Sequence, residues 1–215
     1  LELARHAGLH DRAIRAGAWA EAGQFSFWHT PQVELSGLTL GIVGLGRIGH
    51  RTAELARAFG MRVVAARTSR ARPAPDWPGF AWLDVDELFA TSDVVSLHCP
   101  VNDATRGLVS AALLARMKPT AFLINTARGA LVDEPSVARA LTEGRLAGAA
   151  LDVVSVEPIR PDNPLLAAPR CVLTPHLAWA TQAARARLTA GVEAAVRAWM
   201  AGRPINVVNG VSRSR

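Results

Sequence analysis

The chain has 215 residues, 50% of them hydrophobic, enough for one core of ordinary size or about one and a half domains. No apolar run approaches the roughly 20 residues of a membrane span, and Leu1-Glu2-Leu3-Ala4-Arg5 lacks the order of a signal peptide. The net charge of +6 does not mark a nucleic-acid protein: Lys118 is the only lysine, arginines are scattered from Arg5 to Arg215, and no aromatic-basic stripe accompanies them.

The chain opens on leucine rather than methionine, which reads as a fragment or a processed product. Residues 1–20 read as one helix ending near Gly17 or Gly23. His6 and His10 on it have the i, i+4 spacing of metal ligands, but no third ligand is nearby. A surface or interface pair is therefore expected, and no metal. Phe25, Phe27 and Trp28 fall in a loop, where they pack either on a twofold-related partner or within their own domain.

Strand-like runs then alternate with amphipathic stretches. The runs are Leu38–Val43, Arg62–Ala66, Asp93–His98, Ala121–Asn125, Ala149–Val153 and Cys171–Thr174. The stretches are Ile48–Phe59, Val85–Thr91, Ser110–Met117 and Pro135–Glu143. Short continuous apolar strands separated by helices predict an α/β fold, a doubly wound parallel sheet with its ligand at the strands' carboxyl ends. Residues 181–202 predict a last helix with Ala184, Leu188, Val192, Ala195, Val196 and Trp199 on one face and Gly202 as its stop. The expected division is 1–20, a dinucleotide-binding domain over 21–180, and a C-terminal helix and tail over 181–215. Arg70–Pro78 reads as a surface loop and the last six residues as frayed. Cys99 and Cys171 lie in or beside apolar runs, so reduced, buried thiols and a cytoplasmic protein are expected.

The first strand leads into Gly44-x-Gly46-Arg47-Ile48-Gly49. Gly44 allows a tight turn, Gly46 lets the backbone approach a pyrophosphate, and Gly49 lets helix and strand pack closely. The helix N-terminus then offers N–H groups to the anion. An acid should end the next strand if the cofactor is NAD. Instead, 18 residues on from Gly49, the chain reads Arg67-Thr68-Ser69-Arg70. A cation beside hydroxyls suits a 2′-phosphate, so NADP is the expected cofactor. A solvated Arg67 with use of NAD is the competing reading.

Three further segments follow apolar runs: Asn125-Thr126-Ala127-Arg128-Gly129, Glu157-Pro158 and Pro175-His176. A cation, a carboxylate and a proton donor are what reduction of an oxo acid by a bound hydride donor requires.

These segments, with Leu97-His98-Cys99-Pro100, Met117–Thr120, Gly148–Val153 and Thr174-Pro175-His176, resemble the D-2-hydroxyacid dehydrogenases. The stretches 176–181 and 203–209 resemble the glycerate dehydrogenase/hydroxypyruvate (glyoxylate) reductase branch. The resemblance implies that Arg128 holds the substrate carboxylate and that His176 donates the proton. It implies too that Glu157 bonds the other imidazole nitrogen. Asp152 would lie near the nicotinamide carboxamide, with a turn cap as the alternative. Thr126, Ala127, His98, Cys99, Pro100, Thr105 and Ala178 would border the cofactor. The substrate would be a small 2-oxo or 2-hydroxy acid, such as hydroxypyruvate/D-glycerate or glyoxylate/glycolate. Trp179, bulky and three residues past His176, is expected to favour small polar substrates.

The family's substrate domain comes mainly from an N-terminal half that has no counterpart here, residues 1–20 resembling the crossing helix that follows it. This chain is therefore expected to bind NADP(H) but to reduce hydroxypyruvate poorly or not at all. A homodimer through residues 1–30 is implied, with no nucleic-acid or membrane partner. An inactive nucleotide-binding fragment and an NAD(P)-sensing corepressor-like regulator remain the alternatives.

Overall fold

Near-continuous burial along the central apolar runs sets the architecture. The computed structural model describes residues 1–68 and 73–208. The chain divides into two compact units, Leu1–Pro175 and His176–Arg215.

The first unit is built on seven strands: β1 Thr39–Val43, β2 Arg62–Ala66, β3 Ala81–Leu83, β4 Val94–Leu97, β5 Phe122–Asn125, β6 Gly148–Leu151 and β7 Cys171–Leu173. Their order across the sheet is β3-β2-β1-β4-β5-β6-β7, and every pairing is parallel. The chain winds outward from β1 to β3, then returns to β4 on the other side of β1. That reversal opens a crevice between β1 and β4 at their carboxyl ends. Leu40 and Ile42 of β1, Val63 and Ala65 of β2 and Val94 of β4 point to one apolar cluster. Val43, Val64, Ala66, Val95 and Leu97 point to the other. Side chains with period two feed two cores, so the central strands β1 and β4 are buried at every position.

The covering helices are α4 Arg47–Ala58, α5 Val85–Thr91, α6 Ala111–Leu114 and α7 Glu134–Thr142. The six strands expected from the sequence, and the helices expected over 48–59, 85–91, 135–143 and 181–202, are present apart from terminal residues. The helix expected over Ser110–Met117 is limited to one turn. β3 was not foreseen. It is a three-residue edge strand whose residues are all part-buried.

Residues 1–20 are not one helix. They form α1 Glu2–Arg5, α2 Ala7–Arg15 and α3 Ala18–Glu21. The chain turns left-handed at His6 (φ 47°) and again at Gly17 (φ 92°). Side chains stabilise the break at His6. The Gly8 N–H donates to the Glu2 carboxylate at 3.1 Å, and the His6 carbonyl receives His10 Nδ1 at 2.8 Å. Leu3 and Ala4 are buried in the sheet's own core.

The second unit contains α8 Gln182–Met200, capped by Thr181, whose hydroxyl accepts the Ala184 N–H at 3.2 Å. The apolar face expected from the sequence is present, but no residue of α8 is buried. Leu188, Val192, Val196 and Trp199 are each at least half exposed.

Candidate active site

Because all seven strands run parallel, every loop that follows a strand emerges on one edge of the sheet. Gly44–Gly49 follows β1, Arg67 and Thr68 follow β2, and His98–Pro100 follows β4. Thr126–Arg128 follows β5 and Asp152 follows β6. Ser69 and Arg70 lie outside the described residues.

The three glycines of the first loop meet different constraints. Gly44 has φ 100°, and a Cβ there would lie 2.7 Å from the Cys99 nitrogen and the His98 carbonyl carbon. A Cβ on Gly49 would lie 2.4 Å from the Gly44 carbonyl oxygen. Both are required by the protein's own packing. Gly46 is not: a Cβ there would meet nothing within 4 Å. The space beside Gly46 therefore suits close approach by a ligand, and α4 begins at the next residue with its unpaired N–H groups. A groove of about 460 Å³ adjoins it, lined by Leu45, Gly46, Arg47, His50, Arg51 and Glu54. Ile48 is 71% exposed at the same turn. These residues fit the pyrophosphate of a dinucleotide.

Arg67 is exposed at the end of β2, and its guanidinium already has partners. Nε lies 3.4 Å from the Asp84 carboxylate, and Nη2 donates to the Trp82 carbonyl at 3.2 Å. Neither Asp84 nor this carbonyl was read from the sequence. The link is weak, because an exposed ion pair contributes about 0–1 kcal/mol. It holds the guanidinium at the edge of β3 without consuming its charge.

Beyond β4, His98 Nε2 lies 2.9 Å from the buried Ser96 hydroxyl, and the His98 N–H donates to the Val43 carbonyl at 2.8 Å. Burial holds the His98 imidazole below its ordinary pKa, so it is neutral near pH 7. Burial likewise pushes the Cys99 thiol up, against an opposing backbone hydrogen bond. Thr105 Oγ donates to the Pro100 carbonyl at 2.7 Å and accepts the Asn102 N–H at 2.8 Å. It holds this loop's shape.

Arg128 owes its placement to Asn125, which is fully buried. The Asn125 side-chain carbonyl accepts the Ala127 N–H at 3.0 Å, and its amide donates to the Arg128 carbonyl at 2.9 Å. The turn 125–128 is thereby closed on a single side chain. Arg128 itself is exposed, with Nη1 donating to the Ala127 carbonyl at 2.6 Å. The next residue, Gly129, is buried under the chain that follows β6. A Cβ there would lie 1.9 Å from the Val154 carbonyl carbon and 2.4 Å from the Ser155 nitrogen.

That following chain carries Asp152 and Glu157. Asp152 is 5% exposed and accepts the Thr174 hydroxyl at 2.5 Å, so it ties β6 to the end of β7. Glu157 is exposed, and its carboxylate accepts the Val154 N–H at 3.2 Å. His176 opens the second unit in a left-handed conformation, φ 51°, which is uncommon for a residue with a Cβ. Ala178 and Trp179 are exposed in the turn after it. The structure thus brings the loops after β1, β2 and β4 and Arg128 to one edge of the sheet in the first unit, which also contains Glu157, while His176 and Ala178 belong to the second.

The histidine pair at the N-terminus has another use. His10 Nδ1 binds the His6 carbonyl and Nε2 accepts the His29 N–H at 3.2 Å, so both ring nitrogens are engaged. Among the described residues no three His, Cys, Asp or Glu side chains are grouped to hold a metal, and no helix is long and apolar enough to cross a membrane.

Comparison with known proteins agrees with this geometry. Residues 1–178 match the profile of the D-isomer specific 2-hydroxyacid dehydrogenase, NAD binding domain. The chain is 40% identical over 209 residues to a hydroxypyruvate reductase of Blautia hydrogenotrophica, covering 97% of this chain and 65% of the relative. It is 41% identical over 213 residues to a glyoxylate reductase of Aeropyrum pernix, covering 97% and 63%. Among solved structures it is similar to a glyoxylate reductase from Paecilomyes thermophila, with TM-score 0.81, 36% identity, and 95% and 60% of the two chains covered. An acyclic imino acid reductase in complex with NADPH and D-Arg gives TM-score 0.83 at 32% identity, covering 96% and 64%. The chain thus spans somewhat less than two thirds of the length of these relatives. With its glycine turn, parallel sheet and profile match in agreement, the chain belongs to the D-isomer specific 2-hydroxyacid dehydrogenase family, through its NAD-binding domain.

Proposed function

We propose that the protein transfers hydride between NADPH, in preference to NADH, and a small 2-oxo or 2-hydroxy acid such as hydroxypyruvate/D-glycerate or glyoxylate/glycolate. The observation that carries this is the open space at Gly46, beside a helix N-terminus, on the same sheet edge as Arg128. Cofactor binding is proposed for this chain, and the reaction for the protein as a whole, because the chain spans 65% of the hydroxypyruvate reductase and 63% of the glyoxylate reductase.

The bound nicotinamide would supply the hydride. Gly44 to Gly49 would hold the pyrophosphate on backbone N–H groups. Arg67 with Thr68 would take the 2′-phosphate, and Ser69 and Arg70 belong to the same proposal. Such charge-assisted bonds are about twice as strong as neutral ones, and the exposed contact to Asp84 is weak enough to yield. Thr126, Ala127, His98, Cys99, Pro100, Thr105, Asp152 and Ala178 would border the cofactor. Arg128 would grip the substrate carboxylate with its planar fork. His176 would hold a proton for the carbonyl oxygen and take it back in reverse, with Glu157 as the carboxylate proposed to bond its other ring nitrogen.

Phe25 at 94% and Trp28 at 66% exposure support a homodimer through residues 1–30, while Phe27 packs on His10 and His29 within its own chain. Two unbridged cysteines, Cys99 and Cys171, are consistent with a cytoplasmic protein. The test is a titration with NADPH and NADH, turnover of a 2-oxo acid panel, and solution mass by light scattering. Equal affinity for both cofactors removes the NADP preference, loss of all turnover in the whole protein removes the reaction, and a monomer removes the dimer.

A further inference from the structure

Two of the proposed site residues, Arg128 and Glu157, sit on loops after different strands, yet one peptide plane lies between them. This is the plane joining Val154 to Ser155. Its carbonyl carbon packs against Gly129, next to Arg128, so closely that a Cβ on Gly129 would come within 1.9 Å. On the preceding residue, the Val154 N–H is held by the Glu157 carboxylate at 3.2 Å. The plane's own N–H, on Ser155, goes to Glu134 at 2.5 Å.

Glu134 is 7% exposed, one of the few charged side chains in the core. It is the first residue of α7, followed by Pro135, and a carboxylate is favoured at a helix N-terminus. Yet this carboxylate is turned to a different purpose. One oxygen accepts the Ser155 N–H, and the other accepts the Asn163 side-chain amide at 2.7 Å. Asn163 in turn accepts the Leu165 N–H at 3.0 Å. The loop between Ser155 and Asn163, which carries Glu157, is therefore pinned at both ends by one buried carboxylate. A buried charge is retained only when its hydrogen bonds are made, and here both oxygens make one.

We infer that Glu134 is a positioning residue: it fixes the Val154–Ser155 plane and so keeps the Glu157 loop in register with the Arg128 turn. The placement stands on the hydrogen bonds alone. What the register serves rests on the reaction proposed above.

Amide hydrogen exchange on the 215-residue chain tests the placement. Glu134→Ala should speed exchange of Ser155, which loses its acceptor directly. It should also speed exchange of Val154 at least about tenfold, because Glu157 moves away with the loop, while amides of β1 and α4 and the NADPH affinity stay near wild type. Glu134→Gln keeps an acceptor for Ser155 and should restore most of the Val154 protection. Val154 protection that survives Glu134→Ala overturns the inference, as does uniform loss across β1 and α4, which would mean a purely structural role. Turnover of the whole protein carrying Glu157→Ala separates the two claims. Wild-type turnover there removes the proposed role of Glu157 and leaves the exchange result to decide the role of Glu134.

Discussion

Gly46→Ala separates the ligand from the fold. Gly46 has φ −88° and ψ −161°, a conformation open to any residue, and a Cβ there meets nothing within 4 Å. In the cofactor-free protein the substitution removes freedom from the unfolded chain and should stabilise by about 0.4–1 kcal/mol. For a chain of this size that raises Tm by roughly 1–4 °C. With the cofactor bound, the methyl occupies the space where the pyrophosphate meets the backbone. An extra methyl in a packed contact costs about 1–3 kcal/mol. At about 1.4 kcal/mol per factor of ten, NADPH binding weakens roughly 5- to 150-fold. Gly49→Ala should behave oppositely, because its Cβ lies 2.4 Å from the Gly44 carbonyl oxygen and 3.1 Å from Ile42. That clash lowers the cofactor-free Tm by several degrees. The assay is calorimetry without cofactor, paired with NADPH fluorescence titration on each variant. Wild-type NADPH affinity in Gly46→Ala, or a fall in its cofactor-free Tm, would refute the assignment of that space to a ligand.

Gly129→Ala must displace the backbone at Val154 and Ser155, so it should cost about 3 kcal/mol or more and lower Tm by roughly 6–12 °C in a melt followed by circular dichroism. A Tm within a degree of wild type would mean the two loops are not in contact. Asp84→Asn should leave Arg67 more available and sharpen the preference for NADPH over NADH, while Arg67→Asp should reverse it; a cofactor ratio unmoved by both, measured by parallel titration, would remove the 2′-phosphate site. Burial raises the Cys171 thiol from 9.0 to about 11. The unfolded chain therefore loses this proton first as pH rises, and the folded state is disfavoured between about 9 and about 11. Denaturant titrations should show Cys171→Ala losing less stability than wild type across that window, and parallel curves would contradict the burial argument.

Much of this arrangement was legible because its causes are local. The six strand runs read from the sequence are mostly apolar, as strands covered on both sides are. Gly44 and Gly49 carry their packing requirements in their identity. β3 was hidden because Ala81–Leu83 owes its position to pairing with β2. The break at His6 was hidden for a related reason. No glycine or proline marks it, and what stabilises it comes from side chains at Glu2 and His10. Asp84 is 17 residues from Arg67 in sequence and reaches it only through the register of β2 with β3.

The least legible feature is the one that relates the site's loops to each other. An acid at the start of α7 reads as an ordinary partner for a helix N-terminus, and a glycine after Arg128 reads as a turn. Neither reading mentions the Val154–Ser155 peptide, because a backbone plane has no residue type to announce it. Yet that plane is where Gly129 and Glu134 meet. Side-chain chemistry can be read along a chain when the fold rule that places it is general, as with loops on one edge of a parallel sheet. The spacing between two such loops is set by backbone contacts, so it becomes visible only when the chain is folded.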